Sequence, residues 1–196
     1  MSAPPGEAFL SRGRELFGTG EGLASAEEMR RFEDVVLVHL DAAYNLARWL
    51  TGRDHDAQDV VQDACVRAFR AFDQFRGGDG RAWLLTIVRN TAFTLKSGRK
   101  TQLELNEETH DSADHDVDPQ VIVSRAADAK RVREAIELLP PELRTVIVLR
   151  EMEGMSYKEI AGVAGVPIGT VMSRLSRGRE KLAALLAEEE PVRRGP

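Results

Sequence analysis

The chain reads as all-α: two small helical domains joined by an acidic flexible linker. Three observations predict this. Apolar residues recur at helical spacing in successive segments, no stretch of useful length alternates with the two-residue period of a strand, and residues 101–119 are acidic without any hydrophobic period. Residues 1–31 are rich in Gly, Ser, Ala and Pro, with one short helix expected around 7–17, and form an N-terminal extension of unread function. Over 32–50, Val36, Leu40, Ala43, Tyr44, Ala47 and Leu50 keep helical spacing, and Thr51-Gly52 supplies the stop. Asp56 is placed to cap a second helix with a buried stripe of Val61, Ala64, Cys65, Ala68, Phe69 and Phe72. Gly77, Gly78 and Gly80 make 75–80 a loop, after which Trp83, Leu84, Ile87, Val88, Thr91 and Leu95 mark a third helix and complete a first domain over 32–100. The second domain, 120–187, opens on a long helix carrying Ile122, Ala126, Ala129, Val132, Ile136 and Leu139. That helix stops at Pro140-Pro141, a further helix spans 142–151, and 188–196 is a tail.

The most informative segment follows. The Ser156 hydroxyl is placed to accept from the Glu159 amide while the Glu159 carboxylate reaches back, a reciprocal box that starts a helix. Gly165-Val166-Pro167 ends it, because proline cannot continue a helix and holds the residue before it extended; the chain restarts near Ile168 or Gly169. Ile160, Ala161, Val163, Val166, Val171 and Leu175 close a small core, leaving Thr170, Ser173, Arg174, Arg177 and Lys181 on an outward basic face. This is a helix-turn-helix pattern, which commonly sets its second helix in a DNA groove; an ordinary helical hairpin with a solvated basic face is the alternative.

Composition narrows the function classes. An apolar fraction of 42% supports packed cores, no run approaches the ~18 apolar residues a membrane crossing needs, and the first residues lack the charged start and apolar middle of a secretory signal. A cytoplasmic protein without membrane contact is expected. Cys65 is the single cysteine, so an internal disulfide and a cysteine-rich zinc site are excluded, and core packing is its expected role. His39, His55, His110 and His115 show no metal-ligand spacing, so no metal, no cofactor and no catalytic residue are expected, and the chain is not read as an enzyme. A net charge of −5 is unusual for a nucleic-acid binder, but the charges are segregated. Arg76, Arg81, Arg89, Lys96, Arg99 and Lys100 make one basic block, and Arg174, Arg177, Arg179 and Lys181 a second. Between them Glu104, Glu107, Glu108, Asp111, Asp114, Asp116 and Asp118 run without a cation. Screening over ~8–10 Å isolates such patches, so each can bind phosphate locally.

Taken in order, residues 56–63 (DAQDVVQD), 83–90 (WLLTIVRN), Leu139-Pro140 and 169–175 (GTVMSRL) closely resemble a bacterial sigma factor of the extracytoplasmic-function class, over about Phe32 to Leu186. The resemblance implies that 32–100 is sigma region 2, which docks on core RNA polymerase and opens the promoter minus-ten element. It implies that 120–187 is sigma region 4, whose helix-turn-helix binds the minus-thirty-five element. Partners implied are core polymerase, through its beta-prime clamp and beta flap, promoter DNA, and a restraining anti-sigma factor. Asp59 and Asp63, four residues apart with Gln62 beside them, make a carboxylate face suited to a basic partner, and the resemblance assigns it to the clamp. Arg76, Arg81, Arg89, Asn90 and Lys96 suit minus-ten phosphates, and Trp83 is read first as a core anchor and second as a stacking platform for a separated base. Thr170, Ser173, Arg174, Arg177 and Lys181 suit the minus-thirty-five duplex, with the amides of Thr170 and Val171 open to a phosphate.

The chain departs from the pattern at Ala164, where leucine is common, and at Gly178, where a frequent alanine is replaced at a helix cost of ~1 kcal/mol. Thr94 and Ser97 stand where aspartate and arginine often occur. Two other readings compete: a stand-alone helix-turn-helix regulator, which leaves 56–100 unexplained, and a sigma-like decoy that sequesters an anti-sigma factor, which needs no basic faces.

Overall fold

The computed structural model describes residues 26–105 and 123–188, with side chains over 27–98 and 128–187; every regular element among them is helical. The expected helix at 7–17, the linker from 106 onward and the tail lie outside the described residues. The N-terminal half consists of α1 (Ala26–Val35), a 3-10 turn (Leu37–His39), α2 (Leu40–Thr51), α3 (Asp54–Arg70), a second 3-10 turn (Phe72–Gln74) and α4 (Gly80–Leu105). The C-terminal half consists of α5 (Val123–Glu137), α6 (Pro141–Ile147) running into a π turn (Val148–Met152), α7 (Tyr157–Ala164) and α8 (Ile168–Glu188).

The helix expected over 32–50 is broken. Phe32, Val36 and Leu40 are all buried, so the apolar period runs unchanged across the 3-10 turn, and spacing alone hid the break. Gly52 closes α2 as expected, at φ +80° with its amide on the Arg48 carbonyl, a backbone setting in which glycine pays no Cβ penalty. Asp56 does not cap α3. Arg53 is the residue before the helix and makes no side-chain cap bond, while Asp56 lies inside the first turn, buried and 3.5 Å from Arg53. Two carboxylates there, Asp54 and Asp56, meet the positive end of the helix dipole and do a cap's electrostatic work without its geometry.

α2, α3 and α4 pack on one another around Leu46, Val60, Ala64, Leu84 and Val88. An aromatic group ties the turns to this bundle. Phe32 meets Phe69 and Phe72 edge-on at 5.2 Å, Phe72 stacks on Phe75 at 5.9 Å, and Phe75 lies 5.1 Å from Trp83. Each such pair adds ~0.5–1.5 kcal/mol beyond area burial. Cys65 is 1% exposed, and burial pushes its thiol up to about 12. Native protein is therefore expected to resist thiol-specific reagents at neutral pH and to react fully in denaturant; a fast native reaction, read by absorbance, would place Cys65 outside the core.

In the C-terminal half, α8 crosses α6 and α7, with Val171 and Leu175 buried against Ile160 and Val163. Gly178 corrects the helix-cost argument. A Cβ built there would lie 2.9 and 3.1 Å from Cγ1 and Cδ1 of Ile147, so the missing side chain lets α8 approach α6. Ile147 is 1% exposed and has little room to yield. Gly178→Ala would gain ~1 kcal/mol of helix propensity and lose ~1–3 kcal/mol to overpacking. A net loss of about 1 kcal/mol in urea denaturation is expected, and a gain would show that Ile147 repacks freely.

The halves are in contact: α4 lies along α7, α2 touches α6, and their buried apolar residues form one cluster. Three arginines bridge them. Arg81 of α4 donates to the carboxylate of Glu153 and, at 2.9 Å, to its carbonyl; the Arg133 guanidinium sits 5.9 Å from the Trp49 ring centre; and Arg144, 7% exposed, reaches the Trp49 carbonyl at 3.1 Å. Arg144 also donates to the carbonyls of Glu137 and Leu139, where α5 runs out of helical donors. Among the described residues no helix is long and apolar enough to cross a membrane.

Candidate nucleic-acid interface

The helix-turn-helix forms as the local chemistry dictates. The Glu159 amide donates to the Ser156 hydroxyl at 3.3 Å and the Ser156 amide to the Glu159 carboxylate at 2.6 Å, completing the box. The Ser156 hydroxyl and amide hold the Glu159 carboxyl below its usual range, with Arg81 adding to the effect. Gly165 ends α7 at φ +64°, where its amide reaches back to Gly162, and Val166 bonds to Ala161. Pro167 then opens α8. Its carbonyl accepts the amides of Thr170 at 2.9 Å and Val171 at 3.2 Å. Those two amides are spent inside the helix and are not the phosphate receptors the sequence indicated; any anion at this end must use the preceding turn.

On α8, Ser173, Arg177 and Lys181 are exposed, and Thr170 and Arg174 half-buried. Ser173 donates to the Thr170 carbonyl at 3.0 Å and Arg177 to the Ser173 carbonyl at 3.3 Å, so both are held along their own helix. Arg179 turns away to pair with Glu151 at 2.7 Å. Ile168 and Met172 stand 45% and 55% exposed on the same helix. A charge count had no reason to single them out, although their offset from the buried Val171 and Leu175 was visible in the period.

The α4 set divides. Arg76 lies exposed in the loop before the helix. Trp83 packs against Phe72 and Phe75 as a core anchor, the first of its two readings. Arg89 lies over the Phe93 ring at 4.7 Å and donates to Asn90 at 3.0 Å, a cation against an aromatic face. Burial, and then the like charge of Arg174, lower the Arg89 guanidinium from its ordinary value, with Glu142 opposing. Lys96 stays at the surface, yet burial of its stem and the Arg144 charge lower its ammonium too. Arg81 is engaged by Glu153, a partner 72 residues away that no local pattern announces.

The α3 flank carries its acids outward. Asp59 and Asp63 have side chains 55% and 48% exposed, with Gln62 between them half-buried. Each acid meets one helical neighbour: His55 at 3.1 Å from Asp59, and Arg67 at 2.8 Å from Asp63. Helical pitch also brings ligand atoms of His55, Asp56 and Asp59 within 4.8 Å of one another, a proximity that sequence spacing had not singled out.

Residues 35–101 match the family described as Sigma-70 region 2, and residues 129–182 match Sigma-70, region 4. Two such regions in this order define a bacterial sigma-type transcription initiation factor, a class without enzymatic activity of its own. The ECF RNA polymerase sigma factor SigE of Mycolicibacterium smegmatis is 35% identical over 162 residues, covering 82% of this chain and 63% of that protein. The RNA polymerase sigma-H factor of Pseudomonas aeruginosa is 34% identical over 79% of this chain and 86% of that protein, and the ECF sigma-E factor of Escherichia coli is 37% identical over 65% and 72%. Among solved structures, the sigma factor RpoE in complex with the anti-sigma factor NepR from Bartonella quintana gives a TM-score of 0.69 at 29% identity, over 82% of this chain and 99% of that one. CnrH in complex with the cytosolic domain of CnrY gives 0.59 at 29% identity, over 95% and 100%. The chain belongs to the extracytoplasmic-function RNA polymerase sigma factors, and it directs promoter-specific transcription.

Proposed function

We propose that the exposed acid flank of α3, Asp59, Gln62 and Asp63, docks on the beta-prime clamp of core polymerase, and that the C-terminal half meets the beta flap. α4 and the loop before it, through Arg76, Arg81, Arg89, Asn90 and Lys96, hold the separated minus-ten strand, with Trp83 as the anchor that keeps this surface rigid. α8 enters the minus-thirty-five duplex with Thr170, Ser173, Arg174, Arg177 and Lys181, while Ile168 and Met172 suit thymine methyl groups. The protein works in the cytoplasm as a dissociable, non-catalytic subunit restrained by an anti-sigma partner. The observation that carries this reading is the capped α7–α8 unit presenting Ser173, Arg177 and Lys181 to solvent. A stand-alone regulator leaves the region 2 match unexplained, and a decoy leaves those cations without work.

Transcription reconstituted from purified core polymerase, this chain and a genomic fragment library is expected to give specific starts; starts indistinguishable from core enzyme alone would overturn the proposal. Arg174→Ala should weaken promoter binding and reduce the log–log salt slope by ~0.9, the contribution of one phosphate contact. An unchanged slope would remove Arg174 from the phosphate set.

A further inference from the structure

Resting on that reading of α4, we propose that its cation-bearing face is also an intramolecular docking surface, on which region 4 sits in the chain alone and masks it from DNA. Arg81, Leu85, Arg89, Ala92 and Lys96 recur every three or four residues and so share one helical face. Along this helix lies α7. Leu85 and Ala92 are buried, at 0% and 4% exposure. Arg81 gives its donors to Glu153, whose side chain is only 6% exposed, and a guanidinium so engaged cannot also grip a strand phosphate. Arg89 feels the charges of Arg174 and Glu142, and Lys96 that of Arg144, all from region 4.

The clasp runs both ways. Arg144 reaches from α6 to the Trp49 carbonyl, in the last turn of α2 where carbonyls lack helical partners. It also holds the end of α5, so one buried guanidinium joins helix ends from both halves. The closed form is built to release. Nε of Arg89, Nε of Arg144 and Oγ1 of Thr91 are buried without a hydrogen-bond partner, and Arg89 faces a like charge in Arg174. Each lowers the barrier to parting, so a polyanion or polymerase that satisfies these donors shifts the chain to the open form.

The test compares the full chain with Glu153→Gln and Glu153→Arg, a residue outside both DNA-binding sets. Two quantities are read on the chain alone: the radius of gyration by small-angle scattering, and fluorescence anisotropy of a labelled single-stranded oligonucleotide from a promoter mapped with wild-type holoenzyme. Both variants are expected to expand and to bind the oligonucleotide at least tenfold more tightly than wild type, while initiating at the wild-type level in holoenzyme. An unchanged radius, or expansion without tighter binding, overturns the proposal. Should Glu153→Arg lose its helical circular dichroism, the Gln variant decides. If wild-type holoenzyme selects no promoter, the assignment of α4 fails instead, and an arbitrary single strand of equal length then serves as the probe, with the same two outcomes deciding.

Discussion

Gly80→Ala is expected to lower stability to urea by about 2–3 kcal/mol, a large effect for one added methyl group. Gly80 opens α4 directly beneath the end of α1. A Cβ built there would lie 2.2 Å from the Val35 carbonyl oxygen and 2.8 Å from its Cγ1. The obstacle is backbone, which no rotamer change can clear, so α1 must shift. α1 carries Phe32, fully buried between Phe69 and Phe72, and any shift loosens those edge-on contacts. Alanine recovers part of the loss by restricting the unfolded chain, worth ~0.4–1 kcal/mol, which is too little to offset the clash. The contrast with Gly178 is instructive: there the nearest atoms belong to a side chain, and the expected loss is smaller. Equal stability of wild type and Gly80→Ala would mean that α1 is held far more loosely than its buried aromatics indicate.

Asp63→Arg is expected to reduce association with core polymerase by at least about 100-fold, enough to abolish promoter-dependent transcription, because like charges facing each other across an interface cost several kcal/mol. The fold should tolerate the change. Asp63 is half exposed and its partner is Arg67, at 2.8 Å on the same helix. Exchanging that pair for two arginines costs only a few tenths of a kcal/mol. Size-exclusion chromatography with core enzyme, beside a helical circular-dichroism spectrum, separates docking from folding. Undiminished co-elution would take Asp63 out of the docking face.

How much of this was legible in the chain depended on how far apart the interacting groups lie. The Ser156–Glu159 box spans three residues and formed as read, and so did the stop at Gly52, because both are matters of local hydrogen-bond chemistry. The break before Leu40 was hidden because burial of Val36 preserves the apolar period through a change of helix type. Asp56 looked like a cap by residue type, and only its burial shows that it belongs to the first turn. The amides of Thr170 and Val171 looked open because a proline was read as a stop, when its carbonyl is also an acceptor. The α3 acids and α8 cations were named from sequence and are outward-facing or half-buried as expected, but the engagement of Arg81 by Glu153 and the burial of Arg144 arise from packing between halves, which no periodicity encodes.

The π turn at Val148–Met152 has a consequence for how this lineage tolerates change in length. Its Glu153 amide reaches the Val148 carbonyl, one residue further back than an α-helix allows, so the turn holds a surplus residue. Losing any single residue there would let the helix regularise while swinging everything downstream by about 100° around its axis, the angle one residue subtends. Such a shortened chain would keep its helical content and yet aim its reading head away from the template, so natural deletions should be rarer across this one turn than in the neighbouring loops.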